Sequence, residues 1–377
     1  MTVSRRSMLR SAMAVVPAAV IGAALPGTAS AAVAVPQWEI FPVDSWPGTN
    51  HPFDRLDFAA DGTVMALGRS GYFPDGPFGP YQEDPLAWGR KGMDWRATEY
   101  SGFASGTRPL KGLTVGAAND AWAVGTRWDQ PTMRDVPQLL HWNGTAWTNQ
   151  TAGATDLDEP RQVSGAGSQV WVVGRRARAY NEASVARWNG SAWRGVALPS
   201  TLGAFTQLLA VEVVGANDVW VAGTTGASAA GPKTSLVMHW NGTSWTTLPA
   251  PFGAAAGQVS TLLVRGTECW AGGIAADRAT VASWNGRAWS VSAPATTSYS
   301  EVTQLATYGS QVWAVGTNTA LQRWNGSAWS AVAGPKSAPL TSAALATAPD
   351  GAIWLAASDQ DAAHQTTSFF ARLPAAG

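Results

Sequence analysis

The sequence holds one cysteine and four histidines in 377 residues, and only 13% of its residues are charged. A single thiol excludes a disulfide within the chain and any zinc site built on paired cysteines. Cys269 stands directly before a tryptophan in an apolar strand pattern and reads as a small buried hydrophobe. The formal charge is zero, so there is no basic footprint for nucleic acid. No run after residue 31 approaches the ~20 apolar residues of a membrane-spanning helix. Nucleophile elbows, phosphate-binding glycine loops, zinc spacings and EF-hand loops are missing as well. His141 and His239 share one repeat position with Arg187, Ser283 and Arg323. A position that accepts all three residue types is a surface position, which leaves His51 and His364 as the acid–base candidates.

Tryptophan is abundant, with 21 residues in two recurring phrases. The first returns five times: LLHWNGTAWT (139–148), VARWNGSAWR (185–194), VMHWNGTSWT (237–246), VASWNGRAWS (281–290) and LQRWNGSAWS (321–330). Asn-Gly between β-prone runs is a strong hairpin signal. A two-residue type I′ turn at Asn143-Gly144 would pair Trp142 with Thr145 and Leu140 with Trp147. Both tryptophans would then project from one sheet face as diagonal neighbours. Each buries roughly 150–250 Å², so the phrase reads as core between stacked sheets. The same turn accounts for the N-x-S/T matches at Asn143, Asn189, Asn241 and Asn325 without glycosylation.

The second phrase precedes each copy of the first: NDAWAVGT (119–126), SQVWVVGR (168–175), NDVWVAGT (217–224), TECWAGGI (267–274), SQVWAVGT (310–317) and GAIWLAAS (351–358), with GTVMALGR (62–69) as a weaker member. Each is a turn and a short buried strand ending in a small residue. A further strand comes before it, such as LLAVEVV (208–214). The unit therefore has four strands, A to D. Its tryptophans recur at spacings of 49, 49, 50, 43 and 41 residues. Four strands at that period predict an all-β fold, a β-propeller of four-stranded antiparallel blades. VPQWEIFPV (35–43) looks like a strand D without its partner, and TSFFARLP (367–374) like a strand C without its strand D. Together they predict seven blades, with the N-terminal strand completing the last and closing the ring.

Residues 1–31 read as a leader. Ser4-Arg5-Arg6-Ser7-Met8-Leu9-Arg10 matches the twin-arginine export pattern, an alanine-rich apolar stretch follows, and Ala29-Ser30-Ala31 forms an A-x-A cleavage site. The expectation is a secreted protein with cleavage near Ala31, no membrane anchor afterwards, and one propeller domain over 32–377.

The repeats resemble those of secreted bacterial β-propellers of the broad kelch/galactose-oxidase-like kind, in which an NDVWAVG strand and an HWNGTSW hairpin alternate. The resemblance spans about 35–374. It implies the seven-bladed fold and no particular activity. The hairpin is more weakly similar to that of fucose-binding propeller lectins, which hold the sugar with a Glu shortly before the hairpin and an Arg from the neighbouring strand. Here that acid's place is taken by Leu139, Val185, Val237, Val281 and Leu321.

In a propeller the A–B and C–D turns share one face of the disc, and the B–C and D–A loops share the other. The former are short and alike here. The latter are long and unequal, which directs the search for a site to them. The B–C loop of the first unit, 68–88, carries Tyr81 and Glu83. The second unit carries Arg127, Trp128, Asp129 and Arg134, and the third Arg175, Arg176, Tyr180 and Glu182. Trp46 and Trp128 are the two tryptophans that the repeat does not use. The favoured reading is an exported module that binds a carbohydrate, cell-envelope component or other partner on this face. The alternatives are a secreted lyase, hydrolase or cyclase that uses His364, His51 and Asp361 at the channel mouth, and a purely structural surface protein. No motif requires a cofactor, and a divalent metal is compatible with the enzyme reading. Partners would be a glycan, a small molecule or a protein, and not nucleic acid.

Overall fold

The computed structural model describes residues 37–43, 52–72, 82–91, 94–97, 99–154, 156–176, 182–294, 300–317, 319–336, 340–360 and 366–375. They form seven four-stranded antiparallel sheets, each paired in the order A-B-C-D. Blade 2 is typical, with strands Gly112–Ala117, Asp120–Asp129, Arg134–Trp142 and Trp147–Asn149. Blade 7 has Leu340–Thr347, Ile353–Gln360 and Thr366–Leu373 as strands A to C. Its strand D is Glu39–Pro42, with Glu39 opposite Arg372 and Pro42 opposite Phe369. The closure expected from the two chain ends is therefore present.

The hairpin turn differs from the sequence expectation. Trp142 pairs with Trp147, not with Thr145, and His141 pairs with Thr148. The loop is the four residues 143–146. A type I′ turn needs φ > 0 at both central positions, but of Asn143 and Gly144 only the glycine has it, at 95°. The Asn143 side chain replaces that geometry. Its Oδ1 accepts the amides of Thr145 (3.0 Å) and Ala146 (2.9 Å) and the Thr145 hydroxyl (2.8 Å). Asn189, Asn241, Asn285 and Asn325 accept the corresponding amides in their own loops. The two tryptophans do share a face, but directly opposite each other, with rings 5.6 Å apart.

The strand-B tryptophan points the other way, toward the following blade. Trp122 lies 5.2 Å from both Trp188 and Trp193 of blade 3. Trp171 meets Trp240 and Trp245 of blade 4 at 5.9 and 6.0 Å. In blade 1, Met65 takes the same place and is fully buried in a cluster with Trp142. At the seam, Trp313 is met edge-on by Trp38 of the closing strand at 6.1 Å. Blades 1 to 5 thus each insert one large apolar side chain against the paired rings of the next, while Trp354 of blade 7 meets Trp95 and the Arg90 guanidinium of blade 1. Neighbouring blades share these cores, so cohesion runs around the ring.

The small residue three positions after the strand-B tryptophan has a structural cause. Opposite it, strand A carries an extra residue: the register shifts between Leu208 and Ala210 across from Gly223, and between Val259 and Thr261 across from Gly273. The bulged backbone folds over the glycine, so a Cβ on Gly223 would overlap the carbonyl oxygen of Gln207. In blade 7 the position is Ala357, and there the shift moves along the strand to lie between Leu340 and Ser342. Gly223→Ala is expected to destabilise the protein by about 1–3 kcal/mol through overpacking, read as a lower denaturation midpoint. An unchanged midpoint would show that the bulge does not depend on the glycine.

Candidate functional site

On the loop face the B–C connections of blades 1 and 2 are more regular than their sequences suggest. In blade 1 the ladder continues from Gly68↔Leu86 to Tyr72↔Gln82, so much of 68–88 is strand and Glu83 pairs with Gly71 within it. In blade 2 the ladder runs out to Asp129↔Arg134 and carries Trp128 opposite Asp135. Trp128 is half-buried on this extension. Its amide donates to Gly106 O (2.8 Å) and its indole N–H to Gln130 Oε1 (3.0 Å). The Arg108 guanidinium lies over the ring at 5.4 Å and pairs with Asp135 at 3.0 Å. Arg127 pairs with Asp129 at 3.1 Å. Hydrogen bonds from Thr132, and then Arg127, hold the Asp129 carboxyl below the usual carboxylate range. Arg134 is exposed.

Blade 3 gathers more charge. Arg175 and Arg161 both pair with Glu159. Arg176 bridges Asp156 at 3.0 Å and Glu182 at 3.2 Å, and its amide donates to Glu182 O. This bridge borders a groove of about 590 Å³ between the upper ends of blades 3 and 4, lined also by Val185, Val196, Leu198 and Leu202. The other candidates are Tyr81, Tyr180, Trp46, His51, Asp361 and His364, which lie outside the described residues. His141 and His239 are placed as their repeat position implied, on the hairpins. Each pairs with the aspartate that opens strand B, His141 with Asp120 at 2.9 Å and His239 with Asp218 at 2.8 Å. Each ring also packs on the tryptophan two residues after that aspartate. The His141 hydrogen bond holds the Asp120 carboxyl below its ordinary range. Cys269 is completely buried, and burial pushes its thiol well up.

Two carboxyls face the central channel, a feature that sequence reasoning missed. The seven A strands line a channel of about 590 Å³. Asp57 and Glu212 occupy equivalent places in it, opposite Met65 and Trp220 of their B strands. Burial raises the Asp57 carboxyl to about 6, against the opposing effect of hydrogen bonds from Val115 N, Phe58 N and Thr114. Burial raises Glu212 further, to about 8, with repulsion from Asp57 adding to it. Arg55 lies one strand repeat above Asp57. It donates to Gln162 Oε1 (3.3 Å) and Asp54 O (2.8 Å), and burial lowers its pKa. The legible signal was a lone acid inside an apolar strand, Glu212 in LLAVEVV.

No protein-family model and no curated protein matches this sequence. Solved structures do. The β-propeller domain of the trilobed protease from Pyrococcus furiosus is similar with a TM-score of 0.54 at 9% identity, over 87% of this chain and 94% of that one. A protein of unknown function from Dyadobacter fermentans matches with a TM-score of 0.53 at 10% identity, over 91% and 100%. The WD40 β-propeller domain of Doa1 matches with a TM-score of 0.53 at 13% identity, over 88% and 96%. The chain is a seven-bladed β-propeller. At these identities the likeness concerns the fold alone.

Proposed function

We propose that this propeller is exported by the twin-arginine route and acts outside the cytoplasm as a binding module. The proposed site is the groove between blades 3 and 4, and its ligand a glycan of the cell envelope. The observation that carries this reading is the groove itself. An arginine held between two carboxylates stands beside Val185, Val196, Leu198 and Leu202 on the rim. Apolar side chains suit the C–H face of a sugar ring, and the fixed ions offer donors and acceptors to its hydroxyls. The SRRSMLR leader and the resemblance to secreted kelch-like propellers support export. The test is a thermal-shift screen of the protein against cell-wall and polysaccharide fragments. A ligand at about 100 times its Kd adds roughly 2.7 kcal/mol to the native state. The expected result is a glycan whose shift is lost in Arg176→Ala and retained in Trp128→Ala. A shift that depends on Trp128 instead would move the site to blade 2. A screen with no responding glycan would sink the carbohydrate reading.

A further inference from the structure

The groove between blades 3 and 4 runs beside a strand edge that neighbouring blades close. Strand D of blade 3, Trp193–Gly195, is three residues long, and its ladder covers only Ala186 to Trp188 of strand C, Ala183–Trp188. N–H groups left unpaired on such an edge are costly when buried and invite another chain when exposed. Blade 1 has Pro85 on this edge, which carries no N–H, and Ala87 N donates to Ser101 Oγ at 3.0 Å. Blade 2 repeats the arrangement with Pro137, and Leu139 N donates to Thr151 Oγ1 at 3.0 Å. In blade 4 the loop to blade 5 bridges the edge at Thr234↔Ala256. In blade 5 Ala279 N donates to Ser300 Oγ at 3.2 Å, and the ladder itself reaches Val281↔Ser292.

Blade 3 has neither the proline nor the hydroxyl. Ala183 stands in the place of the two prolines, and Ala197 in that of Thr151. Val185 O accepts from Val196 N at 2.9 Å, so the Val185 N–H points to the same outer side. No group among the described residues accepts that N–H. Val185 is 2% exposed and lines the groove. The groove therefore contains a fixed, buried donor that the fold leaves without a partner. Val196, Leu198 and Leu202 pack half-buried against the same cluster as Val185. Glu182 comes three residues before Val185, about 10 Å away along an extended chain. There it and Asp156 flank Arg176.

We propose that the groove selects an N-acetylated amino sugar, an inference that rests on the glycan reading of this site. The acetamido carbonyl accepts the Val185 N–H, and its methyl group lies among Val196, Leu198 and Leu202. The hydroxyls at the far side of the sugar ring reach the ion pairs of Arg176 with Asp156 and Glu182 on the rim. An amide carbonyl is the acceptor that backbone N–H groups take throughout a sheet, and it carries no charge into the apolar wall. A plain hydroxyl in its place could accept the hydrogen bond but would bring no methyl group to the wall. A free amino group would arrive as a cation facing a donor, with its own hydrogen-bonding capacity unmet.

The test is isothermal calorimetry of the full chain with three trisaccharides of one linkage: chitotriose, its fully deacetylated form and cellotriose. Chitotriose is expected to bind about tenfold more tightly than the other two, or better. Ala197→Thr borrows the hydroxyl that caps the same edge in blade 2. It is expected to melt at or above the native temperature, because the Val185 N–H gains a partner. It should also bring chitotriose to within about threefold of cellotriose. Equal binding of chitotriose and cellotriose by the native chain overturns the inference and leaves the glycan reading standing. An Ala197→Thr chain that melts normally and keeps the full preference also overturns it. No heat with any of the three overturns it as well, and the wider glycan screen then decides the reading itself. A blocked valine tripeptide that binds where chitotriose does not would make the edge a strand-docking site and overturn the inference too.

Discussion

Trp171→Ala is expected to remove about 3–5 kcal/mol of stability. Trp171 has no exposed surface. It lies against Trp240 and Trp245 of the next blade, and the Arg187 guanidinium sits over its ring at 5.8 Å. Its indole N–H is buried without a partner, so the substitution orphans no hydrogen-bonding group. The loss is packing, cavity and the Arg187 contact with the ring. Urea denaturation should show a lower midpoint at unchanged slope, the mark of a stability change that leaves the surface exposed on unfolding the same. Trp147, half-buried in its hairpin, should cost less when truncated in the same way. A loss below about 1 kcal/mol at Trp171 would mean that the blade interfaces are not held by these rings.

Removing residues 1–43 is expected to abolish cooperative unfolding and to make the chain aggregate. The closing strand does more than fill a ladder. Trp38 donates its indole N–H to Ala333 O at 3.1 Å and meets Trp313 of blade 6. Phe41 stacks on Trp354 at 5.3 Å, and Glu39 pairs with Arg372 at 3.1 Å. Without that strand, Thr366–Leu373 becomes an open edge beside Phe369 and Phe370, both almost fully buried in the intact ring. Size-exclusion chromatography and thermal denaturation of the truncated chain check this. A synthetic peptide of residues 35–43 should restore a single transition. A truncated chain that melts with the native midpoint would show that the seam carries little of the stability.

Blade number, strand order and the closing role of the N-terminal strand were legible in the sequence because each follows from local pattern. Alternation, turn residues and a period of four strands are properties of neighbours in the chain. The partner of Trp142 was read two residues short, as Thr145 instead of Trp147. The sequence pattern shows that Asn143 and Gly144 form a turn, but not that the Asn side chain would cap two amides and support a four-residue loop. The glycine three positions after the strand-B tryptophan was visible as a small residue. Its reason, a bulge in the partner strand, was not, because a bulge belongs to two strands at once.

The candidate site divides in the same way. Arg176 and Glu182 stood out as charges in one loop, six residues apart at most, and the structure joins them. Asp156 comes from the preceding inter-blade loop, and only the folded ring brings it to the same arginine. Asp57 and Glu212 lie in blades 1 and 4, and nothing in the local sequence of either refers to the other. The sequence by itself therefore determined the repeat, the ring and its closure, since each repeat states its own hydrophobic pattern. Tertiary structure alone decided which charges meet in the channel and on the rim. Those contacts depend on the angle and stagger between blades, which no single repeat contains.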